Sequence, residues 1–424
     1  MEISDFRLKV IAHTDLIPGL PDDVVLNCIL PRLAWTSFPS LLRVSKSWNA
    51  AFASRRIGDI RRMNPSFQER LLAVIHKTTS RPLDEHPDEI SSCPWIMDTP
   101  LDEHPEEIYS CPWIMDINLA VSIYDPILCV WEELPPIPYI PYGAPMFTRC
   151  ICVDGKLFVL GGCNSENWEP VQDVYRMDLA TGLRKWEKCA GMNTARANFA
   201  CTCYEGKIFV AGGYGRDGLV SSTAELYDVQ KEEWLPLPDL NIPRSDCLGA
   251  VLNKQIHVIG GYTSLVYDLR DQDEPDSLSS NCVSSMEILD KQCKGWISTT
   301  TSTVAPLQAF AVSSGQLCPL TDGAMHKFND DLTSGKPAME GMLISHFSLE
   351  EDDDETYLAL AAVSLQQEIY AIIRDTISCF GSGFSFCKGK KDKTCAQGTV
   401  VTWQPIECPF EIVELALSCC SVSV

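Results

Sequence analysis

GKLFVLGG (155–162), GKIFVAGG (206–213) and KQIHVIGG (254–261) are three versions of one phrase. In each, a short apolar run of strand-forming residues ends at two glycines. A glycine pair after a strand can cradle a phosphate, but such a loop normally occurs once, whereas a building block recurs. The first glycines, Gly161, Gly212 and Gly260, are separated by 51 and 48 residues. Recurrence at that period makes Gly161-Gly162, Gly212-Gly213 and Gly260-Gly261 markers of a repeated β unit.

A second phrase follows each pair: VYRMDLATGLRKW (174–186), ELYDVQKEEW (225–234) and MEILDKQCKGW (286–296). Asp178, Asp228 and Asp290 precede Trp186, Trp234 and Trp296 by six to eight residues, and SIYDPILCVW (122–131) repeats the spacing upstream with Asp125 and Trp131. An apolar strand, a glycine pair, a variable loop, a Tyr/Asp strand, a turn and a Trp together resemble the kelch repeat. That resemblance implies a mainly β fold, a kelch β-propeller of four-stranded blades. Glycines let backbones pass closely where blades converge, and each Trp fills the gap between neighbours. Four units are clear. GQLCPLTDGAMHKFNDDLTSGKP (315–337) reads as a degenerate fifth, with Asp322-Gly323 for the glycines and Gly335 in place of Trp. A poorer sixth holds QEIYAIIRD (367–375) and TVVTWQPI (399–406). The expectation is about six blades over 118–424, the last two degenerate, closed by a terminal strand from the tail ELALSCCSVSV. GSGFSFCKGKK (381–391) lacks a third phosphate-loop glycine and a Ser/Thr after its Gly-Lys, so it is expected to be an inserted loop.

Ahead of the repeats, LIPGLPDDVVLNCILPRL…LLRVSKSWNAAF is helical in pattern. Pro21 and Asp22-Asp23 suit a helix start. Leu26, Ile29, Leu30 and Leu33 follow at helical spacing, and Pro31 should end or bend that helix early. Beyond a loop around Pro39, Leu41, Val44, Trp48 and Phe52 form a second stripe. So few residues hardly close a core alone, so a partner is expected. The Leu20-Pro21 pair, the acidic-apolar helix and Val44–Trp48 resemble an F-box, the module that docks a receptor on the Skp-type adaptor of SCF ubiquitin ligases. The resemblance implies that Leu20, Pro21, Leu26, Ile29, Val44 and Trp48 form or support the adaptor-facing surface. The expected division is a helical F-box domain at 1–60, a linker with a first strand region at 61–117, and the propeller at 118–424.

Between them, RPLDEHPDEISSCPWIMD (81–98) recurs as TPLDEHPEEIYSCPWIMD (99–116), identical at 15 of 18 positions. His86, Cys93, His104 and Cys111 lie among carboxylates, but the mixed ligand types and prolines favour a duplicated loop over a metal site. The 20 cysteines include no CxxC pair. Cys150-x-Cys152 and Cys201-x-Cys203 fall at equivalent strand positions and read as small core residues, not ligands. A net charge of −23 disfavours nucleic-acid and anionic-membrane partners. No apolar stretch approaches a bilayer span, and the first residues lack a secretory apolar core, so cytoplasm and/or nucleus is the expected location.

Catalysis has little support. The expected propeller holds His257, His326 and His346, none in a ligand-like pair, and no nucleophile–base motif accompanies them. No cofactor or metal is expected. The loops after the glycines are the natural carriers of specificity, as the wall of a protein-binding funnel: 163–172 (CNSENWEPVQ), 214–222 (YGRDGLVSS) and the long acidic 262–284. Asn164, Glu166, Trp168, Arg216 and Asp217 are the candidate contacts. Arg196 and Arg244, each 16 residues before a glycine pair, either face the funnel or hold the ring by pairing with backbone and carboxylates. Head and repeats together resemble an F-box/kelch-repeat protein of the plant type. That resemblance implies a non-catalytic substrate receptor with adaptor, cullin and a protein target as partners, metabolic enzymes being among the targets such receptors take. The alternative is a kelch interaction scaffold that does not assemble into a ligase.

Overall fold

The two phrases of each repeat fold into one antiparallel sheet. The computed structural model describes residues 16–77, 119–138, 140, 144–164, 167–264, 283, 285–300, 309–313, 316–321, 324–325, 327–328, 339–340, 357–365, 368–375, 384–395, 398–410 and 418–424. The duplicated 81–116 segment, Glu166, His326 and His346 lie outside them. The chain divides into two compact units: Met1–Glu69 with Asp178–Lys185 and Ser423–Val424, and Arg70–Met177 with Trp186–Val422.

In the larger unit, the second blade is Arg149–Val153, Lys156–Leu160, Val174–Asp178 and Trp186–Lys188. The third is Ala200–Tyr204, Lys207–Ala211, Ala224–Asp228 and Glu233–Leu237. The fourth is Leu248–Leu252, Gln255–Ile259, Ser285–Leu289 and Trp296–Thr300. The first blade joins Arg70–Lys77, Leu119–Asp125 and Val130–Glu133 to the C-terminal strand Cys419–Ser423, which lies at its edge beside Arg70–Lys77. The tail therefore completes the first blade, as expected of a ring closed by its two ends.

Two repeated contacts explain the sequence phrases. The motif aspartate folds the turn after its strand: Asp125 Oδ1 accepts the amides of Ile127 and Leu128 at 2.8 and 3.0 Å, and Asp228 Oδ1 accepts those of Gln230 and Lys231 at 3.1 Å. Asp290 does the same for Gln292 and Lys294. The motif Trp then reaches back to the connection before its blade. Its indole N–H donates to a backbone carbonyl: Trp186 to Pro135 at 2.7 Å, Trp234 to Ala190 at 2.8 Å and Trp296 to Pro238 at 2.8 Å. Trp131 of the first blade donates to Glu407, beyond the last blade, at 3.0 Å. There Leu72, Val74 and Tyr124 pack with Tyr370, Ile372 and Phe386, so first and last blades share a core. Two further interfaces are similarly filled, by Phe158, Leu160, Phe199, Val210 and Tyr227 between the second and third blades and by Phe209, Ala211, Ile256 and Val258 between the third and fourth.

About six blades were expected, the last two degenerate; among the described residues five four-stranded sheets are present. The unit at 315–337 instead contributes to a three-stranded sheet of Ala309–Ser313, Gln316–Thr321 and Ala324–Met325, beside a short Lys327–Phe328/Met339–Glu340 pair. It lacks both the glycine pair and the Trp that the second, third and fourth blades use to cross and seal. The last blade is complete: Tyr357–Leu365, Glu368–Asp375, Phe384–Cys395 and Gly398–Pro405. The 381–391 stretch, expected as a loop, is a strand from Phe384 onward. Phe386 and Cys387 are buried there, and apolar burial fixes the register against Ile372 and Ala371.

The smaller unit is a set of short helices. Asp22–Val24 runs into a wider turn, Val25–Ile29, and a tight turn at Leu30–Arg32 that contains Pro31, so the proline ends the helix as expected. Pro39 sits inside the next helix, Phe38–Leu41, rather than in a loop. The second stripe is split: Ser45 caps a new helix, Lys46–Ala53, by accepting the Trp48 amide at 3.2 Å, which leaves Val44 in the break. The unit extends to Glu69, past the boundary expected at 60, and Arg70–Lys77, within the stretch expected to hold linker and a first strand region, is a strand of the first blade.

Its core is completed from far along the chain. Val25, Leu30, Trp35, Phe38, Phe52 and Ile57 are buried. Trp35 donates from Nε1 to the Leu179 carbonyl at 2.8 Å, Gly182 donates to Phe52 at 3.0 Å, and the Arg184 guanidinium lies over the Trp35 ring. Gly58 faces Ala180 so closely that a Cβ would sit 2.4 Å from the Ala180 Cβ. Arg61, 1% exposed, donates to Pro31 O at 3.0 Å, to Leu33 O and to Glu69 Oε1 at 2.8 Å, while Glu69 also accepts the Trp35 amide. Burial lowers the Arg61 pKa, opposed by Glu69. Part of the partner expected for this unit is thus the chain's own 178–185 turn.

Candidate functional site

The glycine pairs set where the variable loops begin. Gly161, Gly162, Gly212, Gly213, Gly260 and Gly261 all have φ between +56° and +93°, where a side chain is strained. The second glycine of each pair also lies against the connection that enters its own blade: a Cβ on Gly162 would come 2.4 Å from Met146 O, and one on Gly213 2.5 Å from Ala197 O. Gly162 and Gly213 donate to the carbonyls of Arg196 and Arg244, both at 2.9 Å. Crossing there, the chain turns out into the 163–171 and 214–220 loops, each pinned by short bridges, Cys163 to Pro170 and Tyr214 to Val220.

These loops adjoin. Arg216 donates from Nε to Pro170 O at 3.3 Å, and Cys163 Sγ and Tyr214 OH lie 3.1 Å apart. Burial pushes the Cys163 thiol up to about 11, against the opposing Tyr214 hydrogen bond, so it remains a neutral thiol near pH 7. Asn164 is half-buried, and its carbonyl accepts the Trp168 amide at 2.9 Å, with Trp168 at φ +59° and its ring 6.4 Å from that of Phe147. Arg216 and Asp217 are exposed at the loop tip, where Asp217 Oδ1 accepts the Leu219 amide at 3.1 Å. Leu219 beside them is 66% exposed and was not singled out from the sequence, because a lone Leu in a loop carries no pattern. Asn164, Trp168, Arg216 and Asp217 thus belong to one pair of linked loops. Glu166 and most of 262–284 lie outside the described residues.

Arg196 and Arg244 do not belong to that surface. Both are 0% exposed. Arg196 donates from Nη1 to Gly212 O and Thr223 O at 2.7 and 3.0 Å, and from Nη2 to Thr223 Oγ1 and Glu225 Oε1 at 3.1 and 2.6 Å. Glu225 also accepts the amides of Asn193 and Thr194 at 2.7 and 3.0 Å. Arg244 repeats the pattern on Gly260, Ser285 and Glu287, the last at 2.7 Å. Burial lowers the Arg196 pKa, with Glu225 opposing it. Of the two readings, the funnel-facing one is corrected: each arginine staples the incoming connection to its blade, and none of its donors is offered outward. The carboxylate partners Glu225 and Glu287 went unnoticed in the sequence, although both stand three residues before the motif Asp.

On the helical unit, Leu20 (38%), Val24 (39%) and Val44 (60%) are exposed, with Pro21 beside them. Leu26, Ile29 and Trp48 are half-buried, and Trp48 Nε1 donates to Leu16 O at 2.7 Å, so Trp48 supports the surface more than it offers contact. Val24 is one position outside the helical stripe read from the sequence, which is why it was missed. His257 is 5% exposed within its strand.

The kelch motif family matches residues 147–193 and 195–241, the stretches that form the second and third blades. One F-box/kelch-repeat protein of Arabidopsis thaliana is 30% identical over 250 residues, covering 58% of this chain and 55% of its own length. A second from that plant is 29% identical over 252 residues, 59% of this chain and 63% of its own. A third, SKIP20, is 30% identical over 243 residues, 55% of this chain and 57% of its own. The chain therefore spans little more than half the length of these relatives.

Proposed function

We propose that the chain, a kelch propeller with a small helical head similar to F-box/kelch-repeat proteins of Arabidopsis thaliana, is the substrate-recognition subunit of an SCF-type ubiquitin ligase. The head engages a Skp-type adaptor and, through it, a cullin. The linked loops carrying Asn164, Trp168, Arg216 and Asp217, with Glu166 in the same stretch, take the target protein. The chain supplies proximity instead of bond chemistry: holding a target near the charged conjugating enzyme raises its effective concentration.

The observation that carries the proposal is the exposure of Leu20, Val24 and Val44 along the segment that resembles an F-box, on a unit whose core of Val25, Leu30, Trp35, Phe38, Phe52 and Ile57 is buried. A few exposed apolar side chains, backed by a Trp held by hydrogen bond, make a surface that favours a partner. The test is capture of purified adaptor–cullin by the full chain, compared with Leu20→Ala/Pro21→Ala and with Val44→Asp. At least a tenfold loss of capture is expected in both variants, with unchanged thermal unfolding. Equal capture by wild type and variants would sink the ligase reading and leave the interaction scaffold.

A further inference from the structure

The edge strand that completes the first blade brings two cysteines from opposite ends of the propeller together. Ser418 and Cys420 stand two apart on this segment, so they share a face. The Cys150 amide, on the first strand of the second blade, donates to Ser418 Oγ at 2.9 Å, and that hydroxyl donates to Cys150 Sγ at 3.4 Å. The next residue along the same face, Cys420, neighbours Cys150. Both cysteines are buried, and both are free thiols. Cys152 and Cys419 lie close by, and Arg149 adds positive charge beside Cys150.

We propose that Cys150 and Cys420 form a reversible disulfide that clasps the C-terminal strand to the second blade. Peroxide is the oxidant. The Cys150 thiolate attacks a peroxide oxygen, breaking the O–O bond, and becomes a sulfenic acid as hydroxide leaves. The Cys420 sulfur then attacks the Cys150 sulfur, its thiol proton leaves with the departing hydroxide as water, and the S–S bond forms. The sum is two thiols and one hydrogen peroxide giving one disulfide and two waters. A thiol reductant reverses the bond by exchange.

The pair is asymmetric in the required sense. The hydrogen bond from Cys420, with those from Ser418 and the nearby Arg149, holds the Cys150 thiol below its ordinary range against burial. The same contact, with burial, pushes Cys420 well above its own. Cys150 is the attacking group and Cys420 the resolving one. The neighbouring Cys201 is pushed up by burial and by Cys203, which disfavours it as a competitor.

The full chain is treated with graded hydrogen peroxide, quenched, denatured, alkylated and digested without reductant. The expected result is loss of two alkylatable thiols of the 20, recovery of a peptide linking Cys150 to Cys420, and return of both thiols after reduction. Oxidation should also raise the urea midpoint of the wild type and of Cys419→Ser, but not of Cys420→Ser. Disulfides mapped to other pairs, or oxidation of Cys150 to a sulfinic acid with Cys420 still alkylatable, would overturn the proposal. The peptide map of the wild type stands even where a variant fails to fold.

Discussion

Replacing Glu225 with Ala tests the stapling of blades most directly. The change removes the only carboxylate within salt-bridge distance of the Arg196 guanidinium among the described residues, at 2.6 Å and with the two side chains 0% and 3% exposed. Stripping one partner from such a pair leaves a buried charge uncompensated, at a cost of about 3–5 kcal/mol. The amides of Asn193 and Thr194 lose their acceptor too. Asn193 is exposed and Thr194 half-buried, so water takes over part of that role and adds only about 1 kcal/mol. Glu225→Ala is therefore expected to cost about 4–6 kcal/mol, a large share of a typical stability of about 5–15 kcal/mol. Arg196→Met alone strands Glu225 at a similar cost, but two of the carboxylate's donors remain. The double variant Arg196→Met/Glu225→Leu should cost less than the sum of the singles, with a coupling of about 1–3 kcal/mol. The assay is urea unfolding followed by both Trp fluorescence and circular dichroism, analysed where the two transitions coincide. A Glu225→Ala cost below about 1 kcal/mol, or strict additivity in the cycle, would refute the role assigned to the pair.

Gly213→Ala and Gly218→Ala share a positive φ, but only the first meets crowding, 2.5 Å from Ala197 O against nothing within 4 Å. The second should cost about 1–2 kcal/mol for its backbone alone, the first a further 1–3 kcal/mol for overpacking, both read as urea midpoints. Trp131→Phe removes the indole hydrogen bond to Glu407 and should lower stability by about 1 kcal/mol while proteolysis near the C-terminus accelerates. His76 is buried, stacked 3.5 Å from Phe410 and bonded to Ser122 Oγ at 2.8 Å, and burial holds its pKa below the ordinary imidazole value. As pH falls through about 6.5 the unfolded chain takes up this proton first. His76 therefore costs nothing above that pH and destabilises the fold progressively below it. His76→Gln should flatten the fall in thermal midpoint between pH 7 and pH 5; an unchanged slope would show that other groups set it.

What the sequence revealed follows from what leaves a local trace. Gly161, Asp178 and Trp186 each answer a need within a few residues of backbone, namely positive φ, a turn and a blade gap, so their spacing alone exposed the fold. The blade at 357–405 has no glycine pair, yet its alternation around Phe386 still builds four strands, so motif counting undervalued it. The unit at 315–337 failed in the opposite direction: spacing suggested a blade where, among the described residues, a sheet of three short strands is found. Arg196 and Arg244 were visible as a periodic pair, but periodicity cannot distinguish a residue facing inward from one facing out. That distinction lies in Glu225 and Glu287, 29 and 43 residues away. The head's dependence on Leu179 and Gly182 was equally illegible, because no pattern links positions more than a hundred residues apart.

That dependence sets an order of events during synthesis. The first 69 residues leave the ribosome early but lack Leu179, Gly182 and Arg184, on which Trp35 and Phe52 rely. At about 5–20 residues per second, the missing turn follows on the order of ten seconds later. The ladder between Glu69 and Val424 waits longer still, for a residue far beyond that turn. On the ligase reading, a chain released before its second blade is made carries an unfinished adaptor surface, so the degradation machinery is engaged only by molecules that already possess the beginnings of a target-binding face. The head's long-range contact thereby serves as proof of translation.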